Sequence, residues 1–318
     1  MGGIFSKSNK GEEDPDTYTS LLDGSLPMMT PSSLPGVKRI VLCGGGMKGL
    51  AHLGALSTLD LSKIEAWAGT SAGAILASLL ALGWSCEELI QAMMHIDFRT
   101  FLDEPLDPIH SLYDAFEVWR HDGVNSGHAF YTWLGHMVER APHSKENPNV
   151  TFGDLWMSQK VDLCLMATDV WGQETFVFSH DTTPFVPIRV AVRASMSIPF
   201  LFQPVCFTDE DGNQRLLVDG GLLDNFPIDA FPSKGTLGLL LETPPQVHSF
   251  DKREDLASFG MDIANTWQSY CVKHHMCKSK ARVIRIKVPH IPLTTFHLDV
   301  NQKRDLLERG RQAGRLLK

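Results

Sequence analysis

The run Gly69-Thr70-Ser71-Ala72-Gly73 forms a G-x-S-x-G pattern between a short apolar segment, Ile64–Ala68, and an apolar stretch with helical spacing, Ala72–Leu82. A strand, a sharp turn and a helix in this order are the context in which a serine becomes an exposed nucleophile. The turn is strained, so the residues two positions before and after the serine must be small, and the helix N-terminus favours a developing alkoxide. An ordinary strand-turn-helix gives the same pattern by chance. Ser71 is therefore a candidate nucleophile that needs support from elsewhere in the chain.

A second glycine run, Gly44-Gly45-Gly46-Met47-Lys48-Gly49, follows the apolar segment Arg39–Cys43. Glycines allow a tight turn with outward-pointing amides, and a following helix adds the positive end of its dipole, so the run predicts an anion site. A P-loop is excluded because no Gly-Lys-Ser/Thr ends the run. Two uses remain open at this point. One is an oxyanion hole, and the other is a dinucleotide site with Glu65, about 20 residues further on, as the ribose ligand.

The third feature is Asp219-Gly220-Gly221, directly after the apolar residues Leu216-Leu217-Val218. A carboxylate at the end of a strand, followed by two glycines, is an acid held on a tight turn. An aspartate in an ordinary β-turn has the same appearance, so this feature alone decides nothing.

Taken together, the three features resemble the patatin-like phospholipase family, in which a glycine-rich loop, a G-x-S-x-G elbow and a D-G-G/A turn follow one another along the chain. Further segments match the family's Ala-Thr-Asp strand end, its Ala-Ser-x-Ser-x-Pro segment and its Asp-Gly-Gly-x-x-Asn-x-Pro stretch: Ala167–Asp169, Ala194–Phe200 and Asp219–Pro227, the last with one extra residue before Asn225. The resemblance runs from about Val37 to the C-terminus. One departure is Lys48, where arginine is common in the family; the two cations differ in hydrogen-bond geometry.

The resemblance implies a lipid acyl hydrolase that cleaves fatty-acyl esters of membrane glycerophospholipids through a Ser–Asp dyad and an acyl-enzyme intermediate. Ser71 matches the nucleophile and Asp219 its base. The oxyanion hole falls on the backbone amides of Gly44, Gly45, Gly46 and Met47. The remaining motif positions support these groups, namely Lys48, Gly49, Gly69, Gly73, Gly220 and Gly221. A dinucleotide site would explain neither Ser71 nor Asp219.

Other functions stay open within this resemblance: a neutral-glyceride lipase, a lysophospholipase, or a catalytically idle, membrane-attached binding protein that keeps the fold. His52 falls on the apolar face of a predicted helix and is interpreted as a packing residue, not as the base of a triad. The residues Cys271, His274, His275 and Cys277 match no zinc spacing. No metal and no cofactor are therefore expected.

The elements around these motifs alternate between strand and helix, which predicts an α/β fold. Together with the resemblance this gives a patatin-like three-layer α/β/α sandwich with a mostly parallel central sheet. Further strands are predicted at Val161–Thr168, Leu237–Leu241 and Arg282–Val288, and a closing helix at Asp299–Leu317. Ser85 and Glu88 form a capping box that opens another helix.

Composition sets the domain organisation and the compartment. Residues 1–36 are polar and carry four of the 18 prolines, which predicts a flexible arm, and residues 37–318 form one hydrolase domain. The net charge of −8 argues against nucleic acid as a partner.

Scattered cysteines, no secretory signal and no apolar run of membrane-spanning length indicate a cytoplasmic protein. Met1-Gly2-Gly3-Ile4-Phe5-Ser6 fits the myristoylation pattern, so Gly2 is the expected lipidation site and peripheral membrane contact is expected.

Overall fold

The computed structural model describes residues 32–103, 125–244, 256–293 and 295–317. In this part of the chain eight strands form one sheet with the path β5-β6-β3-β2-β1-β7-β8, and β4 pairs with β3. The strands are β1 Arg39–Leu42, β2 Ala66–Thr70, β3 Asp162–Asp169, β4 Glu174–Phe178, β5 Val205–Thr208, β6 Gln214–Asp219, β7 Thr236–Glu242 and β8 Arg282–Lys287. The five central strands β3, β2, β1, β7 and β8 are parallel, and β4, β5 and β6 pair antiparallel.

Eight α-helices are described. They are α1 Leu50–Leu56, α2 Ala72–Ala81, α3 Cys86–His95, α4 His128–Glu139, α5 Phe152–Gln159, α6 Ile188–Ser195, α7 Leu256–Lys278 and α8 Val300–Arg315. Short 3₁₀ turns occupy Gly46–Gly49, Phe98–Phe101 and Gly220–Leu222. None of the described helices is long and apolar enough to cross a bilayer.

Alternation of side chains along the strands divides the core into two layers. Ile40 and Leu42 of β1 face a large apolar cluster that includes residues of every described helix except α7. Val41 and Cys43 face a smaller cluster on the other side of the sheet, where Val272 of α7 covers them together with the segment 226–231. Helices therefore cover both faces of a mostly parallel sheet, which confirms the predicted three-layer α/β/α sandwich.

The pairing of β3 brings the ends of two other strands together. Residues 165–169 of β3 pair with β4 along one edge. On the opposite edge, β2 runs parallel to β3 and ends with Thr70 beside Met166, while β6 runs antiparallel and ends with Asp219 beside Ala167. The two strands thus approach one another end to end and stop at consecutive β3 residues. The chain that follows each of them must turn out of the sheet at the same place.

The predicted elements appear with shifted ends. The strand predicted at Ile64–Ala68 lies two residues later. The helical spacing of residues 48–59 predicts one helix, and the structure has a shorter one, α1, preceded by the 3₁₀ turn Gly46–Gly49. The capping box of Ser85 and Glu88 is formed as predicted. The helix α7 and the antiparallel strands β4 and β5 were not predicted.

The folded domain includes residues before Val37. The Ser32 amide donates to the Thr58 carbonyl oxygen at 2.8 Å, and Leu34 is buried in the large apolar cluster. The domain therefore begins at least five residues earlier than composition indicated. The rest of the predicted arm, including Gly2, lies outside the described residues.

The buried ammonium group of Lys303 connects the last helix, α8, to the C-terminal end of α3. The Nζ atom of Lys303 in α8 donates to the carbonyl oxygens of Met93 at 3.1 Å, Met94 at 3.0 Å and Ile96 at 2.7 Å. These carbonyl groups belong to the C-terminal end of α3, where they have no partner within the helix and where a positive charge is favoured. Burial lowers the pKa of the Lys303 ammonium below its usual value. Lys303 therefore acts as a C-terminal cap supplied by a distant part of the chain.

Replacing Lys303 by Met keeps the aliphatic stem and removes the donor. Because the end of α3 is buried, we expect a loss of about 2–4 kcal/mol of unfolding free energy, measured by urea denaturation. Arg304→Met, at the adjacent exposed position of α8, is the matched control and should change stability by less than about 0.5 kcal/mol. Equal effects of the two substitutions would contradict the capping role.

Candidate active site

Ser71 sits at a strained turn between β2 and α2. Its backbone has φ 54° and ψ −122°, a conformation that residues with side chains rarely adopt and that costs about 1–3 kcal/mol. A Cβ atom on Gly69 would overlap the carbonyl oxygen of Gly73, and one on Gly73 would overlap that of Leu42. The steric reason for glycine on both sides of the serine is therefore present in the structure.

Asp219 ends β6 and lies against Ser71, as the strand ends require. The Ser71 side chain is close enough to the Asp219 carboxyl group to lower its pKa, and the Gly221 amide donates to Asp219 Oδ1 at 2.7 Å. The backbone amide of Asp219 donates to the Ser197 carbonyl oxygen at 2.8 Å, which fixes the turn from its other side. Only 6% of Asp219 is exposed, and this burial raises the pKa of its carboxyl group to about 6, although Ser71 and the Gly221 amide act in the opposite direction. A carboxylate with such a pKa is a stronger base than a solvated one.

The glycine run lies next to this pair and is held by the segment after Asp219. The Gly44 amide donates to the Asn225 carbonyl oxygen at 2.9 Å, and a Cβ atom on Gly44 would lie 3.2 Å from Cβ of Ser71. Gly46 has φ +56°, which suits glycine, and begins the 3₁₀ turn that continues into α1. The Gly44 amide is thus already engaged, so its place among the expected oxyanion donors is not supported by this geometry, and Gly44 acts by allowing close approach to Ser71.

A deep cavity opens at Ser71 and runs into the helical layer. Its walls are apolar apart from Ser71 and Thr295. The inner walls come from α2, α3, α4 and the 3₁₀ turn Phe98–Phe101, with side chains that include Met93, Phe98, Phe101, Phe130 and Trp133. The apolar lining suits a hydrocarbon chain, and Ser71 is one of the residues that such a chain would contact.

The segment Ala194–Phe200 contributes residues that motif spacing did not assign to a role. The Ser71 amide donates to Ser195 Oγ at 2.9 Å, so the hydroxyl of Ser195 stabilises the strained turn. The buried guanidinium of Arg193 donates to Ser197 Oγ and to the carbonyl oxygens of Ser126 and Gln203. These bonds fix the loop that carries the acceptor for Asp219. The Ala-Ser-Met-Ser pattern marked this segment in the sequence, but which atoms it would hold was not readable from it.

His52 is packed inside the domain, as its place on the apolar face predicted. Its Nε2 atom lies 3.0 Å from the Cys43 carbonyl oxygen, and burial lowers its pKa to about 4, so the ring is neutral near pH 7. The cavity walls in the described residues contain no histidine. Among the described residues, the ionisable side chain next to Ser71 is the carboxyl group of Asp219.

Comparisons with known proteins agree with this architecture. The family model described as patatin-like phospholipase matches residues 40–232. The chain is 30% identical over 288 residues to the uncharacterized protein YqhO of Bacillus subtilis, covering 86% of this chain and 94% of that one. It is 29% identical over 196 residues to the probable lipid hydrolase 463L of Invertebrate iridescent virus 6, covering 60% and 62% of the two chains. The crystal structure of VipD from Legionella pneumophila has the same fold, with a TM-score of 0.57 at 18% identity, over 95% of this chain and 72% of that one.

The matched region contains the glycine run, Ser71 and Asp219, the residues that the fold brings to one end of the sheet. The chain belongs to the patatin-like phospholipase family. It is a lipid-ester hydrolase.

Proposed function

We propose that this hydrolase cleaves fatty-acyl esters of glycerophospholipids with a Ser71–Asp219 dyad. The observation that carries the proposal is the meeting of Ser71, which lines an apolar cavity, with the buried carboxyl group of Asp219. Asp219 accepts the Ser71 proton as Oγ attacks the ester carbonyl carbon. When the tetrahedral intermediate collapses, the proton passes from Asp219 to the leaving alcohol oxygen and the acyl group remains on Ser71. Water, deprotonated in the same way, then releases the fatty acid.

The developing oxyanion requires donors beside Ser71. Gly45, Gly46 and Met47 stand at the start of the 3₁₀ turn, where amide groups lack partners inside the helix. Of these residues, Gly46 and Met47 line the cavity together with Ser71. We assign the oxyanion hole to the amides of Gly45, Gly46 and Met47, without Gly44. Removing one such donor typically costs about 3–4 kcal/mol of transition-state stabilisation.

The apolar cavity suits an acyl chain but does not identify the alcohol that leaves. A neutral glyceride or a lysophospholipid would place the same acyl chain in the same space. A substrate panel with one acyl chain on phosphatidylcholine, lysophosphatidylcholine and triacylglycerol separates the alternatives, and we expect the phospholipid to have the highest kcat/KM. A clear preference for triacylglycerol would support the neutral-lipase alternative instead.

The dyad is tested by two nearly isosteric substitutions. Ser71→Ala and Asp219→Asn should each lower kcat by at least about a thousandfold, because the nucleophile and its base act as one unit. Thermal melting should show that both variants remain folded, and Ser158→Ala, at an exposed serine of α5, should retain wild-type turnover. Turnover close to wild type in a folded Ser71→Ala protein would remove the proposed nucleophile.

The pH dependence follows from the raised pKa of Asp219. Asp219 accepts a proton only when it is ionised, so kcat/KM should be low below about pH 6, rise through that value and level off above it. Asp224 is a second buried carboxyl group whose pKa is raised to about 6. The variant Asp224→Asn should therefore keep the midpoint near pH 6 if Asp219 is responsible. A midpoint that disappears in Asp224→Asn, or a fully active enzyme at pH 4, would contradict the assignment.

We further propose that α7 contacts the membrane in which the substrate resides. Ile263, Trp267 and Tyr270 are 56%, 48% and 60% exposed and follow one another on one side of the helix. Trp267 and Tyr270 are ring-stacked with centroids 5.7 Å apart, and exposed lysines follow at positions 273 and 278. Aromatic side chains beside cations are typical of surfaces that enter an anionic lipid interface. Gln268, on the opposite side of α7, donates to the Gly221 carbonyl oxygen at 2.9 Å, so the helix itself packs against the turn that follows Asp219.

The membrane contact is measured with vesicles that contain anionic phospholipid. Trp267→Ala with Tyr270→Ala should weaken co-sedimentation by about tenfold or more, because two amphipathic aromatic groups are lost. Hydrolysis of a water-soluble ester should not change. Met157→Ala, at a 72% exposed methionine of α5 on the other face of the sheet, is the control. Unchanged sedimentation of the double variant would contradict the assignment of this surface.

Gly2, which we propose as a myristoylated second anchor, is tested by Gly2→Ala and by N-terminal mass spectrometry in a eukaryotic host.

A further inference from the structure

A cluster of three possible metal ligands lies on the smaller face of the sheet. Asp224 and Asp229 belong to the segment that follows the Asp219 turn, and His275 belongs to α7. One ligand atom from each residue lies within 4.8 Å of the other two. The His275 Nδ1 atom is 3.1 Å from Oδ1 and 3.0 Å from Oδ2 of Asp229. The three groups therefore converge on a space the size of one ion.

The Asp224 side chain has one buried carboxylate oxygen without a hydrogen-bond partner in the described part of the chain. Only 7% of Asp224 is exposed, and its Oδ1 atom is buried with no hydrogen-bond partner among the described residues. Leaving a buried carboxylate oxygen unpaired is costly, because that oxygen has lost its hydration. A cation is the partner that would satisfy the free oxygen and both negative charges together.

The donor set indicates which cation. Two carboxylates and one imidazole suit zinc and the neighbouring divalent transition metals, whereas calcium and magnesium prefer oxygen ligands alone. Asp229 is exposed at the surface and Asp224 lies beneath it, so an ion can enter from solvent and keep a water molecule as its fourth ligand. We propose that Asp224, Asp229 and His275 form a binding site for a divalent transition-metal ion, with zinc as the best fit.

The position of the site gives the ion a structural role. The backbone carbonyl oxygen of Asp224 accepts a hydrogen bond from Thr70 Oγ1 at 2.7 Å, one residue before the nucleophile. On the other side of the cluster, α7 reaches the Gly221 carbonyl oxygen through Gln268. A bound ion would join α7 to the segment that leaves the Asp219 turn. It would not contact the ester, so the inference does not depend on the dyad.

A second acid–histidine cluster provides a natural control. His180 Nδ1 is 3.0 Å from Asp162 Oδ1, and His180 Nε2 is 3.2 Å from Asp181 Oδ1. The two carboxylates thus lie at opposite nitrogens of one ring and cannot share an ion with it. This second cluster has the same residue types as the proposed metal site, two aspartates and one histidine, but a different arrangement of them.

The test is zinc binding to the full-length chain, stripped with EDTA and desalted, by isothermal titration calorimetry. We expect saturable binding of one zinc ion per chain and a higher melting temperature in its presence. Asp229→Asn and His275→Gln should each weaken binding by at least about tenfold, because each removes a direct ligand. Asp162→Asn and His180→Gln should leave binding unchanged. Absence of saturable binding, or full affinity in both ligand variants, would overturn the proposal.

Cobalt(II) gives a second measurement that requires no variant. Ligation by oxygen and nitrogen should produce only d–d absorption bands in the wild-type chain. An intense sulfur-to-cobalt charge-transfer band would show that Cys271 or Cys277 holds the ion instead, which would also overturn the proposal. Calcium and magnesium should not compete with zinc at equal concentration.

Discussion

The end-to-end meeting of β2 and β6 on one edge of β3 is the constraint on which the site depends. Thr70 and Asp219 pair with the consecutive residues Met166 and Ala167, so neither strand can extend further without entering the other. Both chains must leave the sheet by tight turns at the same point. These turns place Ser71 and Asp219 side by side, and their glycines are required because a Cβ atom on Gly69, Gly73 or Gly220 would overlap backbone atoms. The geometry of the pair is thus set by strand pairing, before any side-chain interaction forms.

Burial of Asp219 then changes the basicity of its carboxyl group. A solvated aspartate is a weak base, but the apolar surroundings of Asp219 disfavour its charge and raise its pKa to about 6. The apolar cavity that Ser71 lines offers a place for the hydrocarbon chain of the proposed substrate. The cost of keeping the strained serine turn is offset by bonds from other segments, among them the one from the Ser71 amide to Ser195 Oγ. Contacts outside the active site also hold the cavity walls in place. Lys303 caps the end of α3 by donating to the Met93 carbonyl oxygen, and Met93 lines the cavity.

The central strands and the turns that carry the motif residues could be predicted from the sequence, because local constraints determine them. The central strands are buried on both faces, so they appear as short apolar runs ending in glycine, and the motif residues mark the turns. The helix α7 was missed because only a few of its residues, such as Val272 and Met276, meet the sheet, while Trp267 and Tyr270 face outward. The strands β4 and β5 are short and antiparallel, and their pattern is weak. The cavity combines side chains as distant as Met93 and Phe296, and the proposed metal site joins His275 to two carboxylates about 50 residues earlier, beyond the reach of local spacing.

The central claim is that Ser71 is the activated nucleophile of a serine hydrolase. The most direct measurement is reaction of the intact, folded chain with a fluorophosphonate that carries a long alkyl group, followed by digestion and mass spectrometry of the labelled peptide. The account predicts one label per chain, on Ser71, formed faster as the pH rises through about 6 because Asp219 must be ionised. Absence of a label on Ser71, or stoichiometric labelling of another residue, would contradict it.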